Sequence, residues 1–223
     1  MTGVGEDPCS RLSARIPADD WAVLQVSGVL VHFERDQVLF RQGDAGRHVY
    51  VVLDGSVKVV RAEADGGQTL LTVRAGGDVV GDVAALDHGT RSGTVTALAP
   101  VRARMLTAKQ FQLFVQRPSV SIGFTRYTVE RLRQADVQRS EIAVLPVRTR
   151  LARALLRLTA SQQASGEDPV IRLSQQDVAH YAGASRNAVV DVIGELRAAG
   201  IISTTRRATQ VIDPEALRRV AGF

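Results

Sequence analysis

Eight short runs of apolar, largely β-branched residues follow one another between Val29 and Leu106, separated by turns rich in glycine and aspartate. Asp54-Gly55 and Gly76-Gly77-Asp78 are two of these turns. β-branched residues favour strands, and Gly/Asp turns favour antiparallel hairpins. The pattern therefore predicts an antiparallel sandwich or barrel. The predicted strands are 29–33, 38–40, 49–53, 57–60, 69–73, 79–80, 93–98 and 101–106.

The pattern becomes helical near Thr107 and predicts a short helix over 108–115, then a helix of about 28 residues over 118–145. At about 1.5 Å per residue the second helix spans roughly 40 Å, too long for one small domain to cover. A row of positions three and four residues apart indicates a seam for pairing with another helix. Because Arg139 interrupts the row, packing of this face on the chain's own β region remains the alternative. The seam residues are Thr125, Thr128, Leu132, Ala135, Arg139 and Ile142.

The last third of the chain has the pattern of a winged helix-turn-helix. A helix is predicted over 147–162, and Ser174 and Asp177 have the spacing of a capping box that begins the next helix. Gly183 permits a tight turn, and Ser185 caps a further helix. Two short strands, 201–203 and 209–212, follow as the wing. The predicted division is 1–110 for a β domain, 111–145 for the linker and long helix, and 146–223 for the winged domain.

In a helix-turn-helix, the second helix enters the major groove of DNA with its first residues at the base edges. Arg186 can donate two hydrogen bonds to guanine, and Asn187 can pair similarly with adenine. The charge agrees, since residues 111–223 hold 16 basic and 10 acidic residues, against 12 and 13 in residues 1–110. The alternative is a helical packing module with solvated charges. The candidate DNA-binding residues are Ser174, Gln175, Gln176, Ser185, Arg186, Asn187, Asp191, Arg206 and Arg207.

A glycine-rich segment from Gly76 to Leu86, followed by Arg91-Ser92, is a candidate anion site. Backbone amides at the start of a helix favour an anion, and glycine permits close approach. Arg91 adds a planar cation, while Asp82 can accept hydrogen bonds from a sugar hydroxyl. The alternative is a structural ion pair between Asp82 and Arg91.

Other classes of function find no support in the sequence. Cys9 is the only cysteine, so the chain cannot by itself build an iron–sulfur cluster or a cysteine-rich zinc site. The four histidines lack metal-ligand spacing, and no nucleophile–base pair indicates an enzyme, so we expect no catalytic residue and no metal. We find no signal peptide and no apolar run long enough to span a bilayer, and therefore expect a cytoplasmic protein without a membrane partner.

Three blocks of sequence, in this order, resemble the bacterial Crp/Fnr family, the cyclic-AMP receptor protein class of transcription regulators. They are LFRQGDAGRHVYVVLDGSVKVV, then GGDVVGDVAAL with TRSGTVTAL, then LSQQDVAHYAGASRNAVVDVIGELRAAGII. The resemblance implies an α+β fold with an antiparallel, cyclic-nucleotide-binding-like β-roll, a long dimerisation helix and a C-terminal winged helix-turn-helix. It also implies a homodimer on a pseudo-palindromic site in double-stranded DNA, with RNA polymerase as a further partner.

The resemblance also implies roles for residues of the β-roll and the long helix. Arg91 and Ser92 would bind the cyclic phosphate of an effector, and Asp82 stands in place of the glutamate that holds its ribose. Members that bind cyclic AMP present a threonine followed by a serine or asparagine to the adenine, where this chain has Ala135 and Asp136. The effector-binding residues implied are Gly81, Asp82, Val83, Ala84, Arg91, Ser92, Ala135 and Asp136.

Departures from the family pattern leave the effector open. We expect cyclic AMP, cyclic GMP or no effector at all, and no required cofactor, haem or iron–sulfur cluster. One hypothesis is that Asp136 pairs with Arg139 of the partner subunit and fixes a DNA-competent dimer without ligand. Asn187 stands where a glutamate is usual and Asp191 where an arginine can occur, which predicts a different DNA site. The alternative function is a cyclic-nucleotide-binding module that docks a protein and does not bind DNA.

Overall fold

The computed structural model describes residues 11–64, 66–163, 170–205 and 208–223. All eight strands predicted between residues 29 and 106 are present, and they form two four-stranded antiparallel sheets. One sheet has the order β1-β8-β3-β6 and the other β2-β7-β4-β5. The strands are β1 Val29–Phe33, β2 Val38–Phe40, β3 His48–Asp54, β4 Ser56–Ala62, β5 Gln68–Ala75, β6 Val79–Val80, β7 Thr94–Ala97 and β8 Val101–Thr107.

The two sheets pack face to face, and this β-roll confirms the prediction of an antiparallel sandwich. Small and β-branched side chains from both sheets fill the space between them, among them Val52, Val57, Val95 and Ala103, each at most 1% exposed. The turn between β3 and β4 depends on Gly55, whose φ of +81° favours glycine, and an added Cβ would collide with the carbonyl of Pro100.

Four helices accompany the β-roll: α1 Ala18–Val26, α2 Asp82–Leu86, α3 Ala108–Val115 and α4 Pro118–Val144. The long helix begins with Pro118 at its first turn, and Pro146 follows its end. Tyr127 of α4 and Phe111 of α3 are fully buried against the apolar side of the sheet that contains β3. The first half of the long helix is therefore anchored to the roll through Tyr127, which is not one of the predicted seam residues.

The C-terminal unit confirms the predicted winged helix-turn-helix and adds one helix. Its elements are α5 Val147–Gln163, β9 Val170–Ile171, α6 Gln175–Ala182, α7 Arg186–Ala198, β10 Ile202–Thr205, β11 Ala208–Val211 and α8 Pro214–Ala221. The strands form a sheet of order β10-β11-β9. We did not predict α8, although Asp213 caps its first turn by accepting a hydrogen bond from the amide of Ala216 at 2.9 Å.

The roll and the C-terminal unit pack against each other through β4 and β5. Leu70 and Leu98 of the roll are buried in the same apolar cluster as α5, α6 and α7. Lys58 of β4 donates a hydrogen bond from Nζ to Oδ1 of Asp177, at 2.7 Å, at the start of α6. Within the described ranges, no helix is long and apolar enough to cross a membrane.

Candidate DNA-binding surface and effector pocket

The turn between α6 and α7 has the geometry that the sequence predicted. Ser174 accepts a hydrogen bond from the amide of Asp177 at 3.1 Å, and Asp177 accepts one from the amide of Ser174 at 3.2 Å, which completes the capping box. Gly183 ends α6 with φ of +60°. Ser185 then caps α7 by accepting from the amide of Ala188 at 3.3 Å. These contacts fix where α7 begins and hence which residues occupy its first turn.

One face of α7 is buried and the opposite face is free. Val189, Ile193 and Leu196 pack into the apolar cluster of the C-terminal unit. Arg186, Asn187 and Asp191 are exposed, as is Val190, which shares their side of the helix. At the start of α6, Ser174 and Gln176 are exposed and Gln175 is half-buried. Arg206 and Arg207 lie outside the described residues.

The glycine-rich segment builds a small pocket of about 140 Å³ beside Arg91. Gly81 adopts φ of +85° and precedes α2, so the amides of Val83 and Ala84 lie in its first turn. Arg91 is only 4% exposed, and its guanidinium donates to the carbonyl of Gly81 at 2.8 Å and to that of His48 at 2.5 Å. The same guanidinium lies 4.1 Å from the centre of the Phe40 ring. Five predicted residues meet here: Gly81, Val83, Ala84, Arg91 and Ser92.

Burial has a larger effect on the pKa of Arg91 than any neighbouring group has. It lowers the pKa of the guanidinium, while Tyr50, Asp44 and Asp82 act in the opposite direction. Two backbone carbonyls and an aromatic face are weak compensation for a buried cation, so an anion in this pocket would be the stronger partner. The chemistry of the pocket therefore fits a phosphate group.

Asp82 does not pair with Arg91, so the alternative interpretation of this turn is wrong. Its carboxylate, 4% exposed, instead accepts a hydrogen bond from Arg131 of the long helix at 2.5 Å. The pKa of Arg131 is raised, because Tyr127, Asp82 and Asp78 together outweigh the effect of burial. The sequence did not indicate Arg131, which lies 49 positions from Asp82.

Behind this pair, a buried polar network connects the roll to the long helix. Tyr127 donates its hydroxyl to Asp78, and Arg74 contacts the same carboxylate at 3.1 Å. Burial and the negative charge of Asp78 raise the pKa of Tyr127 well above its ordinary value, so the phenol stays protonated. The network ties the first half of α4 to the roll through buried hydrogen bonds.

The predicted seam residues form one stripe of α4 but have different surroundings. Thr125, Leu132 and Arg139 are exposed, with Leu132 at 57%. Thr128 and Ala135 line a cavity between α4 and the roll, which Leu132 also borders, and the side chain of Ile142 lies against Gly183. Asp136 is exposed and contacts Arg139 of its own chain at 2.9 Å.

Two protein-family models together match most of the chain. A model described as cyclic nucleotide-binding domain matches residues 30–117, and one described as Crp-like helix-turn-helix domain matches residues 149–220. The chain belongs to the Crp/Fnr family. The family resemblance inferred from the three sequence blocks is therefore confirmed.

Crp/Fnr relatives cover nearly the whole chain. A "CRP-like cAMP-activated global transcriptional regulator" of Mycobacterium tuberculosis is 29% identical over 196 residues, 86% of this chain and 87% of the relative. A "Cyclic AMP receptor protein" of Thermus thermophilus is 27% identical over 203 residues, 88% and 92% of the two chains. The solved structure of a c-di-GMP responsive global regulator of Xanthomonas campestris shares the fold, with a TM-score of 0.72 at 21% identity, over 87% of this chain and 99% of that one.

This Crp/Fnr protein is a DNA-binding transcription regulator. The match to a Crp-like helix-turn-helix model, together with the exposed first turn of α7, disfavours the alternative of a protein-docking module. The Mycobacterium tuberculosis relative is named as a regulator of transcription. Homodimers are typical of this family, and allosteric control is as well. Among the described residues, no group of three His, Cys, Asp or Glu side chains is arranged to hold a metal ion.

Proposed function

We propose that this regulator binds a pseudo-palindromic DNA site as a homodimer, with one α7 in each half-site. The observation that carries the proposal is the exposed face of α7, whose opposite face is buried, so that Arg186, Asn187 and Asp191 are free to meet base edges. Polar groups at the starts of α6 and α7 would bind phosphates, together with two arginines that the sequence assigns to the wing: Ser174, Gln175, Gln176, Ser185, Arg206 and Arg207. Bound to DNA in the cytoplasm, the dimer would contact RNA polymerase.

An exposed apolar row on α4 supports dimer formation. Three apolar side chains of this row are largely exposed: Ile122 at 65%, Val129 at 41% and Leu132 at 57%. A contiguous apolar patch of this kind is typical of a surface that binds a partner. The row continues at spacings of three and four through Thr125, Asp136 and Arg139, all of them exposed. This row keeps Thr125, Leu132 and Arg139 of the predicted seam and replaces Thr128 and Ala135 by their neighbours Val129 and Asp136. Our hypothesis that Asp136 meets Arg139 of the partner subunit stays a prediction and is compatible with this register.

We further propose that an effector with a phosphate group binds at Arg91 and adjusts DNA affinity. The buried guanidinium and the amides of Val83 and Ala84 support an anion there. The names of two relatives include cyclic AMP, and a regulator with the same fold is titled c-di-GMP responsive, so more than one effector is a candidate. The ion pair between Asp82 and Arg131 favours a second candidate, in which the regulator is DNA-competent without ligand, because the ribose-binding carboxylate is already occupied.

Selection of bound DNA from a random duplex pool tests the homodimer proposal. We expect recovered sequences to contain two inverted half-sites whose centres lie about 10–10.5 base pairs apart, or a multiple of that distance. Recovery of a single, asymmetric half-site would overturn the proposal of a two-fold symmetric complex. A pool with no enrichment would overturn sequence-specific reading.

Calorimetric titration with cyclic AMP and with cyclic GMP distinguishes the two effector candidates. Saturable heat that Arg91→Ala abolishes and Ser92→Ala weakens supports an effector at this pocket. Ser92 is exposed, so its substitution leaves the buried contacts of the pocket intact. A folded dimer that binds neither nucleotide, yet still binds its selected DNA, supports the ligand-independent candidate.

A further inference from the structure

Val190 is an apolar side chain on the exposed face of α7, among polar residues. It is 39% exposed, whereas the other valine, isoleucine and leucine side chains of this helix are at most 9% exposed: Val189, Val192, Ile193 and Leu196. Those four belong to the apolar cluster of the C-terminal unit, and Val190 lies outside that cluster in the described part of the chain. Valine is also a less favourable helix residue than alanine or leucine, because branching at Cβ restricts its side chain. Stability of the fold therefore does not explain a valine at this position.

The position of Val190 on α7 is within the stripe of residues proposed to meet base edges. At about 100° per residue, Val190 lies about 40° around the helix from Arg186 and about 60° from Asn187, and so between them. It is also one turn, about 6 Å, further along the axis than Arg186. Gly194 continues the stripe, and among the described residues no atom lies within 4 Å of where its Cβ would be. The surface beside Val190 is therefore open for contact with a partner.

The side chain of Val190 ends in methyl groups and can neither donate nor accept a hydrogen bond. In the major groove, base pairs present donors, acceptors and one apolar group, which is the C5 methyl of thymine. Beside a donor or acceptor, the valine would displace water without replacing its hydrogen bond, which is unfavourable. Against the thymine methyl, it removes apolar surface of both groups from water. The chemistry of this side chain thus favours thymine over the other three bases.

We propose that Val190 recognises a thymine in each half-site by contact with its C5 methyl group. This inference rests on the proposed function, because it requires α7 in the major groove. One base-pair step is about 3.4 Å and Val190 is about 6 Å from Arg186 along α7, so the thymine lies within about two base pairs of the base that Arg186 contacts. The contact adds an apolar contribution to a site that Arg186 and Asn187 read by hydrogen bonds.

Replacement of thymine by deoxyuridine in the selected duplex tests this contact, because it removes the methyl group and keeps every donor and acceptor. Each thymine position is replaced in turn, in both half-sites together, and fluorescence anisotropy at one fixed salt concentration measures the dissociation constant. We expect one position at which the replacement weakens binding of the wild type. Burial of one methyl group predicts about fourfold per half-site, or about fifteenfold for the two half-sites of the duplex.

Val190→Ala removes the methyl groups that would meet the thymine and leaves a residue that favours the helix. In this variant, deoxyuridine at the sensitive position should change the dissociation constant by about twofold at most. Val137→Ala is the matched control, because it makes the same change at a position of α4 that is 46% exposed, and it should keep the full effect of the methyl group. The two variants and the two duplexes form a double-mutant cycle between side chain and methyl group.

The outcomes distinguish failure of this inference from failure of the proposed function. A wild type that prefers the selected duplex to a scrambled one, but whose affinity depends on no thymine methyl, overturns the role of Val190 and leaves sequence reading by α7 intact. A methyl effect that persists in Val190→Ala overturns that role as well, since another group then makes the contact. Equal affinity of the wild type for the selected and scrambled duplexes overturns the proposed function, and the role of Val190 with it.

Discussion

At the scale of single residues, buried polar groups connect the pocket beside Arg91 to the long helix. Asp78 is 3% exposed and receives contacts from Tyr127 and Arg74, so its charge is compensated inside the roll. Asp82, which follows Asp78 in the same glycine-rich segment, accepts a hydrogen bond from Arg131. Buried charges with one partner removed are costly, since the remaining group keeps its desolvation penalty. The network thus fixes the side of α4 that faces the pocket.

Tyr127→Phe tests this network with the loss of a single hydroxyl. The ring still fills its site, but Asp78 loses a buried donor, so we expect the free energy of unfolding to fall by about 1–3 kcal/mol. Urea unfolding followed by circular dichroism measures it. Tyr50→Phe is the control, because the hydroxyl of Tyr50 has no hydrogen-bond partner in the described part of the chain. Equal effects of the two substitutions would contradict a specific role for the Tyr127 hydroxyl.

Five of the eight predicted effector residues line the pocket beside Arg91, but Asp82, Ala135 and Asp136 do not, and the sequence did not predict how the charged groups pair. The glycine-rich turn, Arg91 and Ser92 are near one another along the chain, and a resemblance assigned them a shared site. Arg131 reaches Asp82 only because α4 packs on the roll, and Lys58 reaches Asp177 across 119 positions. Periodicity gives no information on such long-range partners, and several arginines of α4 were equally plausible from sequence.

At the scale of elements, two faces of the long helix have different surroundings. Its buried face, with Val120 and Tyr127, anchors it to the roll, while Ile122, Val129 and Leu132 remain exposed. The sequence predicted the length of α4, whereas the seam on it stays a prediction. It could not choose between adjacent rows of the same helix, since neighbouring positions such as Thr128 and Val129 fit similar spacings. The packing of α4 on the roll leaves Val129 and Leu132 exposed, and the row proposed above is based on that exposure.

Leu132→Arg tests the seam on α4. An arginine at a buried position of a dimer places two cations close together, so we expect the dimer to dissociate at least tenfold more readily. Sedimentation equilibrium measures the dissociation constant. Val137→Arg is the matched control on the same helix, because Val137 is 46% exposed but lies outside the proposed row. A dimer weakened equally by both variants would contradict the proposed register.

At the scale of the whole molecule, an ion pair links the β-roll to the first turn of α6, the first helix of the helix-turn-helix. Lys58 and Asp177 are 23% and 14% exposed at their side chains, and Asp177 also belongs to the capping box of α6. Burial raises the pKa of Asp177, but hydrogen bonds from Lys58 and Ser174 outweigh it and hold the pKa below its ordinary value. The docked arrangement of the two units therefore favours the ionised carboxylate.

The lowered pKa of Asp177 predicts how its contribution depends on pH. The stabilisation is complete above the ordinary pKa of about 3.9 and is lost as the pH falls through the lower folded value. We expect Asp177→Asn to reduce the free energy of unfolding by about 1–2 kcal/mol at pH 7, with the difference from wild type shrinking below about pH 4. Asp191→Asn, exposed on α7, should show no such loss. A difference that persists unchanged at pH 3 would contradict the ion pair as its source.

Fluorescence anisotropy with the selected duplex and a scrambled one measures whether the first turn of α7 reads DNA sequence. At one fixed salt concentration, wild type should prefer the selected duplex by about 10³-fold or more. Arg186→Ala should reduce that preference by about 1–3 kcal/mol. Arg197→Ala, exposed at the opposite end of α7, should keep it. Equal affinity of the wild type for both duplexes, or a preference that Arg186→Ala leaves unchanged, would contradict the account.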